Sequence, residues 1–253
     1  MLLPDSKTVI VERGNKVVYD LGDKIAKVFN GSKPAADVFN EGLNLARINE
    51  CGIASPRVLE VGQAGDGWAL LTEKVPGTTL RQKVNEEPHR FGEFLEMFVD
   101  LQIDIHAHTC SLLNRQRDKY ARMINGVHTI NATTRYNLLE RLEGMTKEDR
   151  VCHGDFNLSN VILGDDGSLS VCDWAHATQG APAADVAMSY LQLAIKDKAQ
   201  ADAYLELYCE RADMPMQLPR QWMSIVAASE LARGRETDDV EFLMSWIDVF
   251  DYQ

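Results

Sequence analysis

The 253-residue sequence holds little cysteine and no Cys-x-x-Cys pair. Its five thiols are Cys51, Cys110, Cys152, Cys172 and Cys209. Small secreted domains pair their cysteines in even numbers, and structural zinc sites need closely spaced sets. We therefore expect reduced thiols in a cytoplasmic protein, rather than a disulfide framework or a zinc site.

The sequence also lacks a long hydrophobic run. No apolar stretch approaches the roughly 20 residues that a membrane-spanning helix needs. Residues 1–7 have neither the basic start nor the long apolar core of a secretory signal peptide. An apolar content of 45% and a charged content of 25% are typical of a soluble globular chain. We expect a cytoplasmic protein that binds no membrane.

Positive charge is scarce as well. The chain has 26 Lys and Arg against 38 Asp and Glu, a formal net charge of −12. Binding to nucleic-acid phosphates requires clustered Lys and Arg, so we expect no nucleic-acid partner. The negative charge is compatible with a small cationic substrate that is drawn to an acidic cleft. It is equally typical of solvated surface charge that keeps a protein soluble.

Residues 151–174 contain the polar side chains that point to a chemical function. Two apolar runs flank the turn-forming residues 164–168, which predicts a β-hairpin. A register that pairs Gly164 with Leu169 places Asn160 opposite Asp173. Directly opposed residues have Cβ atoms about 5 Å apart. An amide and a carboxylate oxygen could then reach one hard cation such as Mg²⁺, which keeps other positions for phosphate.

Asp155 precedes Asn160 by five positions, which is the spacing of a kinase catalytic loop. In that loop the Asp accepts the proton of the substrate hydroxyl and the Asn holds metal. The order His-Gly-Asp-x₄-Asn, followed by a hydrophobic strand and Asp-Trp, closely resembles the aminoglycoside phosphotransferase / choline kinase family. A plain hairpin with a polar entrance explains each residue singly, but not this order, spacing and strand context together.

The resemblance implies an α+β, protein-kinase-like fold with two lobes. The small N-lobe would hold an antiparallel sheet and one helix, and the larger C-lobe would be mostly helical. We place the N-lobe at residues 1–74 and the C-lobe at residues 75–253. The resemblance also implies that Asp155 is catalytic and that Asn160 and Asp173 hold Mg²⁺.

Three β-branched or aromatic runs within residues 7–29, separated by two Gly-containing turns, predict an antiparallel meander. No complete Gly-x-Gly-x-x-Gly phosphate loop is present. Lys27 shares one strand face with Ile25 and Phe29, where an unpaired charge is costly. The resemblance implies that Lys27 contacts the α- and β-phosphates of the nucleotide. The alternative is a lysine that decorates an edge strand.

A helix is predicted between Pro34 and Gly52, with an apolar stripe along it. The stripe consists of Phe39, Leu43 and Ala46, with Leu45 and Ile48 alongside. Glu41 lies in this helix, and the resemblance implies that it pairs with Lys27. The alternative for Glu41 is a solvated helix glutamate.

Two further strands, at residues 57–61 and 68–72, complete a five-stranded sheet. Residues 73–77 break the pattern and are predicted to form the hinge between the lobes. The resemblance implies that the backbone at Glu73 and Val75 bonds to the adenine edge. This assignment is positional, because backbone contacts leave no side-chain signature.

From residue 79 the chain is predicted to be mostly helical. His106 and His108 lie in a helix at residues 94–110, and side chains two positions apart on a helix diverge. We therefore favour histidines at a helix end over a zinc pair. Asp185 matches an acid of the resembled family, and the resemblance implies a structural residue that caps the following helix and ties the loop.

The C-terminal helices supply candidates for an acceptor pocket. Aromatic side chains would suit a quaternary ammonium, and acids would suit an aminoglycoside. Each residue taken singly is more typical of core packing or a solvated surface. The candidates are Tyr190, Tyr204, Tyr208, Trp222, Trp246, Glu236, Asp238, Asp239 and Glu241.

The predicted function is transfer of the γ-phosphoryl group of ATP or GTP to a hydroxyl of a small molecule. Mg²⁺ is the expected cofactor, and the protein is expected to be a monomer or homodimer. An aminoglycoside, a choline- or ethanolamine-type amine, a sugar and an amino-acid alcohol stay open as acceptors. Two other classes are a metal-dependent hydrolase and a non-catalytic nucleotide-binding module. The hydrolase would use His106, His108, His153 and Asp173.

Overall fold

The computed structural model describes residues 1–4, 6–233 and 237–247. The elements up to residue 86 are β1 (Thr8–Arg13), β2 (Lys16–Asp20), β3 (Lys24–Phe29), α1 (Ala35–Glu50), β4 (Val58–Ala64), β5 (Gly67–Glu73), β6 (Thr78–Thr79) and α2 (Leu80–Glu86). They are followed by α3 (Phe91–Ala107), α4 (Gln116–Gly126), α5 (Ala132–Gly144), β7 (Arg150–Cys152), β8 (Val161–Leu163), β9 (Leu169–Val171), β10 (Thr178–Gly180), α6 (Pro182–Ala194), α7 (Lys198–Arg211), α8 (Gln217–Leu231) and α9 (Thr237–Ile247).

The chain divides into two compact units. The first combines Met1–Pro88 with Leu158–His176, so it contains the sheet, α1, α2 and the β8–β9 hairpin. The second combines His89–Asn157 with Ala177–Gln253 and is mostly helical. The predicted five-stranded antiparallel sheet with one helix, and the helical remainder, are confirmed. The lobe boundary between residues 74 and 75 stays a prediction.

The sheet of the first unit has the strand order β1-β2-β3-β5-β4, and every neighbouring pair is antiparallel. Its strands carry the β-branched and aromatic residues that suit a pleated, half-buried surface. Where the sheet meets α1, a small core forms. This core consists of Phe29, Val38 and Leu70, with Val58, Val61 and Trp68 packed against it.

Helix α1 has the predicted position, but the predicted stripe is partly wrong. Phe39 and Leu43 are 47% and 49% exposed, while the buried face carries Val38, Glu41, Gly42, Leu45 and Ile48. The reason is the close approach of α1 to the sheet at Gly42. A Cβ atom there would lie only 2.7 Å from Val61 Cγ2. The face that can pack closest therefore turns inward, rather than the face with the largest side chains.

The β8–β9 hairpin forms, but the predicted register is wrong by one residue. Val161 pairs with Val171, and Leu163 pairs with Leu169. Cys172 N–H therefore donates to the Asn160 carbonyl at 2.9 Å. Asp173 lies one residue beyond this pair instead of directly opposite Asn160.

Turn chemistry explains the shift. Gly164 N–H donates to Ser168 O at 2.8 Å, and Gly167 N–H donates to Gly164 O at 3.0 Å. Gly167 has a φ of +82°, and Asp166 Oδ1 accepts from the backbone N–H of Ser168 at 3.0 Å. These bonds close a three-residue loop with a glycine bulge, which is a common hairpin connection. The predicted register required a four-residue turn.

In the second unit, β7 pairs with β10 in a short antiparallel ladder. Helix α6 packs against α7 and α8, and α8 packs against α9. The rings of Phe98 on α3 and Phe156 stack with centroids 4.4 Å apart, which fixes the segment after β7 to the helical core. None of the helices in the described part of the chain has the length and hydrophobicity that crossing a bilayer requires.

Candidate active site

In the first unit, three charged side chains meet beneath the sheet. Lys27 Nζ on β3 lies 2.6 Å from Glu41 Oε1 on α1 and 3.0 Å from Asp173 Oδ1. Burial alone would lower the pKa of Lys27, but the two carboxylates outweigh it and raise the pKa above its ordinary value. The ammonium therefore stays protonated and offers a fixed positive charge. The predicted Lys27–Glu41 pair is present, while its role in nucleotide binding stays a prediction.

Asp173 has a left-handed backbone, with φ at +65°. Asp tolerates this region better than most residues, and such conformations cluster at functional sites. Trp174 next to it is fully buried and donates from Nε1 to Val171 O at 2.9 Å. Asn44 Nδ2 on α1 donates to the Trp174 carbonyl at 3.3 Å. The chain on either side of Asp173 is thus held in place, which fixes where its carboxylate points.

Asn160 and Asp173 lie at the same end of the β8–β9 hairpin, because Asn160 pairs with Cys172. An amide oxygen and a carboxylate oxygen are donors that Mg²⁺ accepts, and Mg²⁺ usually keeps its remaining positions for phosphate and water. The described residues contain no group of three or more His, Cys, Asp or Glu placed to hold a metal. An amide and a carboxylate together are the donor types of a metal that is shared with phosphates.

In the second unit, Asp155 is held by two donors on one oxygen. Its Oδ1 accepts from Gln192 Nε2 at 2.6 Å and lies 3.3 Å from Arg233 Nη1. Arg233 Nη2 also donates to the Gly154 carbonyl at 2.7 Å. These bonds fix the orientation of the carboxylate and of the peptide before it.

Asp185 ties the same loop to α6. Its carboxylate is fully buried and accepts from His153 N–H at 3.1 Å and from Gly154 N–H at 2.6 Å. Burial acts to raise the pKa of Asp185, but hydrogen bonds from His106 and Gly154 outweigh it and lower the pKa. The predicted tie is present. The predicted cap is wrong, because Ala181 is the N-cap of α6 and Asp185 lies inside its first turn.

The two histidines of α3 have the predicted helix-end positions, with His106 in the last turn and His108 at the C-cap. His106 Nε2 lies 3.1 Å from Asp185 Oδ2, and His106 Nδ1 lies 2.6 Å from the Tyr208 hydroxyl. Both ring nitrogens of His106 therefore contact neighbouring side chains, which leaves neither nitrogen for a metal.

The model of the phosphotransferase enzyme family matches residues 11–219. The chain belongs to this family. It is therefore a phosphotransferase, and the resemblance seen in the sequence is confirmed. A search of curated protein sequences gives no match.

Solved structures agree with the family. The chain is similar to a thermostable mutant of aminoglycoside phosphotransferase APH(4)-Ia, solved with ADP and hygromycin B. The identity is 16%, with 97% of this chain and 92% of that one covered, and the TM-score is 0.73. It is also similar to APH(3'')-Id from Streptomyces rimosus with ADP and streptomycin, at 19% identity, 87% and 92% coverage and a TM-score of 0.65. The predicted protein-kinase-like α+β fold is confirmed.

The predicted hinge follows β5 in this phosphotransferase. Glu73 is the last residue of β5, and its N–H donates to Arg57 O at 2.9 Å. Its carboxylate lies 2.6 Å from Arg57 Nη2. Val75 is half-buried in the segment between β5 and β6. Adenine contacts at Glu73 and Val75 stay a prediction, and the Glu73 N–H is already used within the protein.

Sequence reasoning missed four residues that the structure brings to these groups: Lys16, Asn44, Gln192 and Arg233. Lys16 had a usable signal, since it lies two positions before Val18 on β2 and therefore shares a strand face with an apolar residue. Gln192 and Arg233 had none, because they lie 37 and 78 positions from Asp155 in the chain. Contacts of that range leave no local pattern.

Three of the nine acceptor candidates in the C-terminal helices have informative surroundings in the structure. Tyr204 and Tyr208 are buried, and the Tyr204 hydroxyl donates to Gln102 Oε1 at 2.5 Å, which is typical of a core. Trp222 lines a cavity of about 550 Å³ in the second unit. Glu236 and the side chain of Asp238 lie outside the described residues.

Proposed function

We propose that this phosphotransferase moves the γ-phosphoryl group of ATP or GTP to a hydroxyl of a small molecule. The observation that carries the proposal is the ion-paired set Lys27, Glu41 and Asp173. A largely buried lysine held between two carboxylates is a costly arrangement, and it is useful where a polyanion must be positioned. Similar structures that contain ADP with hygromycin B or streptomycin support a nucleotide donor and a polyhydroxylated acceptor.

On the nucleotide side, Lys27 would contact the α- and β-phosphates and Glu41 would hold Lys27 in place. Asn160 and Asp173 would hold Mg²⁺. When bound there, Mg²⁺ would supply positive charge opposite the phosphate oxygens. The carbonyl of Glu73 and the N–H of Val75 would bond to the edge of the base.

On the acceptor side, Asp155 would orient the substrate hydroxyl and accept its proton. The hydroxyl oxygen forms a bond to the γ-phosphorus, the bond from that phosphorus to the bridging oxygen breaks, and the nucleoside diphosphate leaves. Positioning and electrostatic stabilisation account for most of such catalysis. The donors on Asp155 Oδ1 support this role because they fix the carboxylate before substrate arrives.

A small acceptor is supported by the short segment after Asp173. Helix α6 begins at Pro182, nine residues beyond Asp173, with only a single 3₁₀ turn and β10 in between. Protein kinases use a longer activation segment to dock polypeptides. The cationic character of an aminoglycoside or choline-like acceptor agrees with the net charge of −12. A cytoplasmic location is part of the proposal, since ATP and reduced thiols are found there.

The proposal is tested by acceptor-dependent ADP release over a library of aminoglycosides, amino alcohols and sugars. We expect at least one acceptor to raise release above the rate with water, and the rate to depend on Mg²⁺. Absence of ATP and GTP binding by calorimetry would overturn the nucleotide assignment.

A variant separates chemistry from binding in the same assay. Asp155→Ala should lower turnover by about 10²- to 10⁴-fold, the usual range for a general base. Its affinity for Mg-ATP should stay within about twofold of the wild type, because Asp155 is not assigned to the nucleotide. An unchanged turnover would show that Asp155 is not the base.

A further inference from the structure

The connection between β1 and β2 is too short to cover phosphates. It consists of Gly14 and Asn15 only, since Arg13 pairs with Lys16 across the ladder. The turn is tied to Asn30, whose N–H donates to Asn15 O at 3.1 Å and whose Nδ2 donates to Gly14 O at 3.2 Å. Glycine-rich loops cradle phosphates with several backbone N–H groups. This tied two-residue turn cannot offer such a cradle.

Lys16, which directly follows this turn, lies on the same face of the sheet as Lys27. The register pairs Val18 with Lys27 and Lys16 with Phe29. Directly paired residues share a face, and side chains two positions apart on a strand share it too. Both lysines therefore project from one side of the sheet as diagonal neighbours.

The two lysines reach the same carboxylate. Lys16 Nζ lies 3.5 Å from Asp173 Oδ2, and Lys27 Nζ lies 3.0 Å from Asp173 Oδ1. The side chains of Lys16 and Lys27 are 20% and 17% exposed. Two ammonium groups so close on one face repel each other unless anions lie between them. Asp173 supplies that anion here.

We infer that Lys16 is a second phosphate-binding lysine, which contacts the nucleotide phosphates in place of a glycine-rich loop. This inference rests on the proposed function. In that function Asp173 is a metal ligand, so its negative charge is shared with a cation and neutralises the lysines less. The phosphate oxygens of the nucleotide then become the anions that both ammonium groups contact. Lys27 and Lys16 together hold the polyanion from one face of the sheet.

A purely structural role for Lys16 makes a different prediction. If Lys16 only holds Asp173, its loss lowers stability and affects every ligand of the first unit alike. If Lys16 contacts phosphate, its loss weakens only ligands that carry phosphate. The nucleoside without phosphates therefore distinguishes the two roles.

The experiment measures affinities by calorimetry in Mg²⁺ for the triphosphate that the wild type binds, ATP or GTP, and for its nucleoside. Lys16→Met should weaken the triphosphate about 10- to 100-fold, the worth of a charge-assisted hydrogen bond. The nucleoside should change by less than about twofold. Lys16→Arg keeps the charge and should retain triphosphate affinity within about threefold. Lys33→Met is the matched control, because Lys33 also pairs with one aspartate, 3.0 Å from Asp37 Oδ2, on the surface of the same unit.

Unchanged triphosphate affinity in Lys16→Met overturns the inference while leaving the proposed function intact. Parallel losses of triphosphate and nucleoside affinity also overturn it and assign Lys16 to structure. A wild type that binds neither ATP nor GTP removes the proposed function and the inference together. Lys16→Gln, which keeps a polar end group, repeats the measurement should Lys16→Met melt at a lower temperature than the wild type.

Discussion

At the scale of single residues, the site depends on which atoms hold each charge. Lys27 keeps its proton because Glu41 and Asp173 lie within 3.0 Å of its Nζ. Burial raises the pKa of the Cys172 thiol, beside Asp173, to about 11, which favours the protonated thiol over the thiolate at neutral pH. Asp155 depends on donors from α6 and from the turn that follows α8. The type of residue was visible in the sequence, whereas the partner of each residue was not.

The contact between Arg233 and Asp155 predicts a positioning role for Arg233. Arg233→Met removes the donor to Asp155 and to the Gly154 carbonyl, so the carboxylate can rotate away from the acceptor. We expect turnover with the acceptor found in the screen to fall about 10- to 100-fold, as for a misplaced catalytic group. The affinity for Mg-ATP should not change.

A paired variant controls for lost stability. Arg233 Nε lies 2.8 Å from Oε1 of the buried Glu230, so Arg233→Met removes a cation from beside a buried carboxylate. Combining Arg233→Met with Glu230→Gln should restore melting temperature but not turnover. Recovery of turnover in the double variant would assign Arg233 to stability alone.

At the scale of elements, one face of α6 holds the loop at residues 153–156 in place. Asp185, Ser189 and Gln192 follow each other at intervals of four and three residues, so they share a face of the helix. Asp185 accepts from His153 and Gly154, the Ser189 hydroxyl donates to Phe156 O at 2.8 Å, and Gln192 donates to Asp155. One helix therefore fixes four consecutive residues of the loop.

This arrangement predicts a large effect of Asp185→Asn. The substituted side chain would point its NH₂ group at one of the two backbone N–H groups that donate to the carboxylate. It would also remove the negative charge opposite His106. Breaking such a buried set typically costs about 3–5 kcal/mol in the free energy of unfolding. Denaturant titration measures the loss. Asp37→Asn on the exposed start of α1 is the control and should change stability by at most about 1 kcal/mol; an equally small effect of Asp185→Asn would contradict the assigned role.

At the scale of the whole molecule, stability is linked to pH through a half-buried lysine on α4. Burial and the nearby Arg233 lower the pKa of Lys119 to about 7, although Glu230, Asp185 and Asp155 act in the opposite direction. In the unfolded chain the pKa returns to 10.5. Between these values the unfolded chain carries one more proton than the folded protein. Stability from this group therefore rises with pH across the window, and it is lowest below pH 7, where the folded protein must hold the charged form.

Lys119→Met removes this linkage. We expect the variant to gain melting temperature relative to the wild type at pH 6–7, with the gain shrinking as the pH rises toward 10. Melting curves of both proteins at unit steps of pH measure the difference. A difference that does not vary with pH would show that Lys119 keeps an ordinary pKa in the folded protein.

The sequence by itself determined the local features of this phosphotransferase. Strand runs and Gly-containing turns determined the five-stranded sheet, and the spacing of Asp155, Asn160 and Asp173 pointed to the family. These features depend on neighbours in the chain, so short patterns encode them. The tertiary structure alone decided the register of the hairpin, the inward face of α1 and the donors on Asp155. Those outcomes depend on a glycine bulge, on close packing at Gly42 and on residues far away in the chain. Long-range contacts of this kind leave no local pattern in the sequence.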